Sequence, residues 1–359
     1  MAQGAAVTHP LALDAVFSFA ALWAAAARAS RGRRLQPSVA RFRLDLEPQL
    51  LAIRRAVLAG TWRPSPTRAL LVRDPKPRRI AVPTFGDRVV HHCVGAALEP
   101  CHERRMIADS YACRRALGTH AALRKATAWA RTYRWWVRLD VAQYFPSIDH
   151  AVVREQLARD LPDIPLRALC ERILAAGGRP GTLYVPGDDL FAPHARTVGL
   201  PLGSLLSQLF ANRYLDPVDH LVKDRLHLRG YLRYMDDMLL FHDDRRALEE
   251  VARRVEDACH GLRLRLHAWC VQPTAAGVGF VGYRVMPDHV RVRRTSVNRA
   301  LRRLRWQLRH VGDLGDEGVR AGLRAVFAHW RHAQSWRLRA RTLRRLGLLA
   351  GDDTPGGDR

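Results

Sequence analysis

Tyr231-Leu232-Arg233-Tyr234-Met235-Asp236-Asp237-Met238-Leu239-Leu240-Phe241 sets two adjacent carboxylates between apolar, strand-forming flanks. Taking an unpaired carboxylate out of water is costly, so such a pair calls for a cation. At a hairpin turn the two acids escape the flanking core and can face one site. The dipeptide alone says little, because Asp-Asp recurs at 188–189, 243–244 and 352–353. Those copies lie in polar or loop surroundings, whereas Asp236-Asp237 sits among Met, Leu and Phe.

Working outward, a second acid obeys the same logic. Asp140 ends the apolar run Trp136-Val137-Arg138-Leu139 and precedes Val141-Ala142-Gln143-Tyr144-Phe145. An acid at the end of a strand can point into the pocket that the hairpin acids face. Three carboxylates can hold two Mg²⁺ ions, with water and phosphate oxygens as the remaining ligands. Two such ions, roughly 4 Å apart, stabilise the attacking and leaving oxygens of a phosphoryl transfer. Mn²⁺ is the expected substitute.

These residues carry a family resemblance. Tyr234-Met235-Asp236-Asp237 resembles the Y-x-D-D box of reverse transcriptases, and Asp140 with Phe145 resembles that family's first acidic motif. The resemblance runs from about residue 35 to 345, with the boxes in the family's order. It implies an α+β, right-hand fold of fingers, palm and thumb, with a ferredoxin-like palm sheet and a helical thumb. It implies Asp140, Asp236 and Asp237 as catalytic acids, with Val141 lending a backbone carbonyl to the metals. Phe145 falls where the family blocks a ribose 2′-hydroxyl. Arg78, nine residues before Asp87-Arg88-Val89-Val90, matches the arginine that grips the incoming triphosphate, with Lys76 as companion. Phe280, Gly282 and Tyr283 resemble the primer grip. The implied partners are an RNA template, a DNA or RNA primer and deoxynucleotides.

The stretch Gly199–Gln208 narrows the resemblance. Leu202 precedes Gly203, and Ser207-Gln208 closes the box. That pattern resembles the reverse transcriptases of diversity-generating retroelements, as do Asp109–Arg114 and Gly118-Thr119-His120. The subclass implies a template-repeat RNA, error-prone copying of adenines and a small helical accessory protein. Leu202 and Gln208 would then lie beside the nascent base pair. There are two departures. Leu264–Val271 contains no lysine where the family has one, leaving His267 or Arg265 to serve or the step to run without such a group, and Arg114-Arg115-Ala116-Leu117-Gly118 replaces a glycine-rich run. Two rival readings stand: a retron-like or phage-defence reverse transcriptase, and a non-catalytic RNA-binding scaffold with a polymerase fold.

The chain of 359 residues is 48% hydrophobic, enough for a packed interior and against extensive disorder. Its formal net charge of +25 favours a polyanionic partner. Only three of its 59 basic residues are lysine (Lys76, Lys125, Lys223), so part of the arginine excess fits a GC-rich genome. Six cysteines without C-x-x-C spacing read as reduced, mostly buried thiols of a cytoplasmic protein. His91-His92 beside Cys93 reads as packed helix rather than a metal site. Residues 12–28 mimic a signal peptide but lack a basic n-region and are too short to span a bilayer, so a buried or amphipathic helix is expected and no membrane partner.

The pattern divides the chain into an N-terminal helical extension (1–60), fingers (61–130), palm (131–285) with an insertion around 150–200, a basic thumb (286–350) and a disordered tail (351–359). A basic-turned β-hairpin is expected at 61–83, strands around 262–285, and helix from about 203 to 227. Residues 291–350 hold 16 arginines against three acids, with Val297, Ala300, Leu301, Leu304 and Leu308 on one helical stripe and Ser296 as a candidate cap.

Overall fold

The computed structural model describes residues 11–72 and 77–349. Lys76 and the 351–359 tail lie outside them. The fold is α+β. The signal-like stretch is helical and packed but broken in two, Leu13–Val16 and Phe19–Ser30; Leu22, Ala25, Ala26 and Ala29 of the second are buried, and it packs against the long helix Phe85–Arg105. Among the described residues, no helix is long and apolar enough to cross a membrane.

Strands β1 (Arg68–Val72) and β2 (Arg78–Val82) form the expected hairpin, pairing Val72 with Arg78 nearest the turn. The central sheet contains β3 (Trp135–Asp140), β6 (Gly230–Tyr234), β7 (Asp237–His242) and β8 (Gln272–Pro273), in the order β6-β7-β3-β8 and antiparallel throughout. Between β3 and β6, residues 179–180 and 197–198 form the two-residue strands β4 and β5. Helix Leu205–Tyr214 lies between β3 and β6 in sequence, and helix Arg245–Gly261 between β7 and β8. This is the β-α-β-β-α-β order of a ferredoxin-like unit. A second sheet joins β9 (Val278–Phe280), β10 (Tyr283–Val285) and β11 (Val290–Val292).

Both faces of the central sheet are covered, which explains why its strands read as nearly continuous apolar runs. Successive side chains alternate between faces. Val137, Leu139, Met238 and Leu240 enter one core with Leu248, Ala252 and Val255 of helix Arg245–Gly261. Trp136, Leu232, Leu239 and Phe241 enter the other with helix Thr119–Thr132 and the β9–β10 hairpin. The basic C-terminal helices Arg294–Arg309, Val311–Trp330 and Trp336–Arg345 follow β11.

Four expectations need correction. Residues 203–227 are not one helix. Leu205–Tyr214, Asp216–His220 and a π-turn at Leu221–Arg225 follow one another, with Pro217 at the start of the second. Residues 262–271 form no strand; they run beside β3 with a single bridge, Val141 to Leu266. Ser296 is not a cap, because Arg293 holds the N-cap position of helix Arg294–Arg309 and the Ser296 hydroxyl donates to the Gly282 carbonyl at 3.3 Å. Half of the thiols are buried (Cys93, Cys170, Cys259); Cys101 is half-buried, and Cys113 and Cys270 are exposed.

Candidate active site

Asp140, the last residue of β3, pairs in register with Asp237, the first residue of β7. Tyr234 also pairs with Asp237, leaving Met235-Asp236 as a two-residue hairpin loop. Strand alternation puts Arg138, Asp140 and Asp237 on one face of the sheet. Met235 adopts φ 61°, a position that two-residue hairpins usually give to glycine. A side chain is held there only when the surroundings over-determine the turn.

Those surroundings are a buried polar network on the opposite face. Arg233 and Asp219 are both fully buried and joined at 2.6 Å. Tyr231 donates its hydroxyl to Asp219 at 2.6 Å. The Arg233 guanidinium also donates to Asn212 Oδ1 (3.1 Å), the Asn212 carbonyl (3.2 Å) and the Met235 carbonyl (3.0 Å). Asn212 in turn donates to the Ala112 carbonyl at 2.6 Å. The loop carrying the acids is therefore tied to two helices and to residues 109–112.

Burial acts on the two hairpin acids. Burial pushes the Asp237 carboxyl up to about 7; the Arg138 guanidinium opposes the shift, and Asp140 and Asp236 add to it. Burial raises Asp236 as well, and Asp140 adds to that shift, while the charges of Arg138 and Arg78 pull it back. Arg138 Nε lies 2.8 Å from Asp237 Oδ1, and Nη2 lies 3.8 Å from Asp140 Oδ1. Among the described residues no three His, Cys, Asp or Glu side chains already converge as a ligand cluster. Mg²⁺ does not require one. It is bound through one or two carboxylates together with waters and substrate phosphates, and the Asp140–Asp237 register meets that need with hard oxygen donors. The residues present fit such an ion.

Around the acids, Val141 is buried beside Leu266. The Asp140 carbonyl accepts from His267 N at 2.9 Å, and Ala142 N donates to the Arg265 carbonyl at 2.8 Å. The segment without a lysine thus runs directly along the acid-bearing strand, with both side chains exposed. Phe145 is half-buried, its ring packed edge-on against Tyr144 at 5.8 Å, and its carbonyl accepts from Leu200 N at 2.8 Å. The Leu202 carbonyl accepts from Ala81 N at 2.8 Å, which seats β2 on the loop before Gly203. Gly203 has φ 110°, and a Cβ there would lie 2.8 Å from the Ala81 carbonyl oxygen, so only glycine permits this approach. Arg78 on β2 is exposed and close enough for its charge to act on Asp236.

Gln208 lines a cleft with Arg88, His91 and His92, and its side chain accepts from Cys113. Phe280 and Tyr283 pair across the two-residue turn Val281-Gly282, but both side chains are buried. Phe280 packs edge-on against Tyr234 at 6.4 Å, and Tyr283 donates to the His329 carbonyl at 2.7 Å. The Val281-Gly282 turn between them is half-buried. Sequence reasoning missed Arg138, Asp219 and the function of Arg233. A signal for the last was present, since an arginine on an apolar strand demands a buried acid.

A model of the reverse transcriptase (RNA-dependent DNA polymerase) family matches residues 72–285. The chain belongs to the reverse transcriptase family. This reverse transcriptase is 27% identical over 179 residues to the group II intron-encoded protein LtrA of Lactococcus lactis, covering 49% of this chain but only 28% of LtrA. It is 24% identical over 287 residues to protein YkfC of Escherichia coli, covering 68% of this chain and 72% of YkfC. A telomerase structure from Candida albicans superposes with a TM-score of 0.47 at 12% identity, over 79% of this chain and 57% of that one, a likeness too loose to add to the assignment.

Proposed function

We propose that this reverse transcriptase extends a primer with deoxynucleotides on an RNA template, using Mg²⁺ held by Asp140, Asp236 and Asp237. The observation that carries this is the in-register pairing of Asp140 with Asp237, with Asp236 on the adjoining turn. When bound, a pair of ions supplies charge stabilisation for the attacking 3′-hydroxyl oxygen and the leaving pyrophosphate. The protein's own residues orient the reactants. Arg78, with Lys76, grips the triphosphate and neutralises its charge. Phe145 closes the space that a ribose 2′-hydroxyl needs. The Val281-Gly282 turn positions the primer end, and the arginines of the C-terminal helices hold the duplex by its phosphates. In this reading the central sheet is the palm, the β1–β2 hairpin belongs to the fingers and residues 294–345 form the thumb.

The finer reading is a diversity-generating retroelement enzyme that copies template-repeat RNA with errors at adenines, alongside a small helical accessory protein. It is supported by Leu202-Gly203 with Ser207-Gln208, and by Gly118-Thr119-His120. The test is Mg²⁺-dependent dNTP incorporation on poly(rA)·oligo(dT), with Asp236→Ala as control and sequencing of the product from a mixed template. Incorporation abolished by Asp236→Ala, with substitutions concentrated at template adenines, is expected. Faithful copying removes the retroelement reading, and RNA binding without incorporation makes the protein a scaffold.

A further inference from the structure

Arg138 is a cation placed where the proposed chemistry has no use for one. It lies on β3 two residues before Asp140, so both side chains share a face. Its guanidinium meets Asp237 at 2.8 Å and reaches toward Asp140 at 3.8 Å. These are two of the three carboxylates assigned to the divalent ions. The strands do not need this pair for their registration: β3 and β7 match residue for residue from Trp135–His242 to Asp140–Asp237. The Arg138 side chain is 37% exposed, so solvent already reaches it where it stands.

We infer that Arg138 is an internal counter-ion of the acid cluster, a positioning residue that competes with divalent metal for Asp237 and Asp140. A guanidinium donates hydrogen bonds and accepts none, so it cannot join a metal's ligand set. While it bridges the acids, it occupies an oxygen that a dication needs and repels that dication. Its presence holds the two carboxylates together at low ionic strength, and metal entry requires it to swing toward solvent. Metal affinity is thereby set lower than the three acids alone would give. The inference rests on the reading of those acids as a metal site.

The test is Mn²⁺ binding to the full chain, followed by electron paramagnetic resonance and by the metal-induced rise in melting temperature, without substrate. Arg138→Gln and Arg138→Met are compared with wild type and with Arg138→Lys, and Asp237→Asn marks loss of a ligand. Removing one positive charge within several ångströms of a dication should tighten Mn²⁺ binding by roughly tenfold. The same variants should melt lower in EDTA and gain more on adding metal, while Arg138→Lys stays near wild type. Folded Gln and Met variants whose Mn²⁺ affinity is unchanged or weaker than wild type would overturn the inference while leaving the metal site standing. If neither wild type nor variant binds Mn²⁺, the metal-site reading itself fails and takes the inference with it.

Discussion

The guanidinium of Arg233 donates to the backbone carbonyl of Met235 at 3.0 Å, so the residue before the acid pair is held from beneath the sheet. Arg233 and Asp219 are each fully buried, out of reach of bulk solvent. Removing one partner strands the other. Asp219→Asn or Arg233→Met should cost about 3–5 kcal/mol of stability, measured by urea denaturation. Arg233→Lys should recover little, because an ammonium cannot serve Asp219, Asn212 and Met235 together. A loss under 1 kcal/mol in either variant would show that the network does not brace the turn.

Loss of an acid should separate chemistry from folding. Asp140 is half-exposed at a strand end, so Asp140→Asn should leave the circular dichroism spectrum and melting temperature close to wild type. Primer extension should nevertheless fall to background. Retained extension would remove Asp140 from the reaction.

The acid cluster also gives a signed pH dependence. The folded carboxyl of Asp237 titrates near 7, well above the ordinary aspartate value near 3.9 in an unfolded chain. A raised acid contributes stability that is fully present below the unfolded value and lost as pH climbs through the folded one. In EDTA, wild type should therefore lose stability between pH 4 and 7 relative to Asp237→Asn. The comparison is needed because His91, His92 and His102, each pushed down to about 4 by burial, act in the opposite direction over part of this range. Parallel curves for the two proteins would contradict the assignment.

Phe145 gives a prediction about sugar selection. Its ring is half-buried, and its position is fixed through Tyr144 and the Leu200 bond. Phe145→Val should open space beside the ribose and raise ribonucleotide incorporation relative to deoxynucleotide by about tenfold or more. The readout is the ratio of kcat/KM for rNTP and dNTP; an unchanged ratio assigns the ring to packing alone.

Leu202 can be tested where it stands. Its backbone carbonyl holds β2 and survives substitution, so Leu202→Gln should keep the fold. If the side chain loosens base selection, the variant's misincorporation opposite template adenine should fall several-fold in sequenced products. An unchanged error spectrum removes the link.

How much of this could be read from the chain depended on periodicity and position. The acids at 140, 236 and 237 were legible because each sits where an apolar strand pattern stops. The β1–β2 hairpin was legible from its basic turn between two apolar runs. Asp219 was not: it stands on a short helix between Pro217 and a π-turn, and only the folded chain brings it to Arg233. Arg138 was hidden among many arginines, and its importance depends on a cross-strand register that no local pattern encodes. The bare 262–271 segment reads as strand because its leucines alternate, Leu262, Leu264 and Leu266. Those leucines face the core, while the backbone makes only scattered bonds to the residues after β3.

The edge-on contact of Phe280 with Tyr234 has a mechanical consequence. The hairpin that carries two of the acids and the hairpin assigned to the primer end share one packed seam, so neither can shift without dragging the other. On the proposed reading, the growing end would advance by one step past a fixed anvil after each addition. The travel would then fall to the nucleic acid and to the parts proposed to grip it farther out, the β1–β2 arm and the arginine-rich helices, while the seam would keep the distance from acid to growing end constant from one cycle to the next.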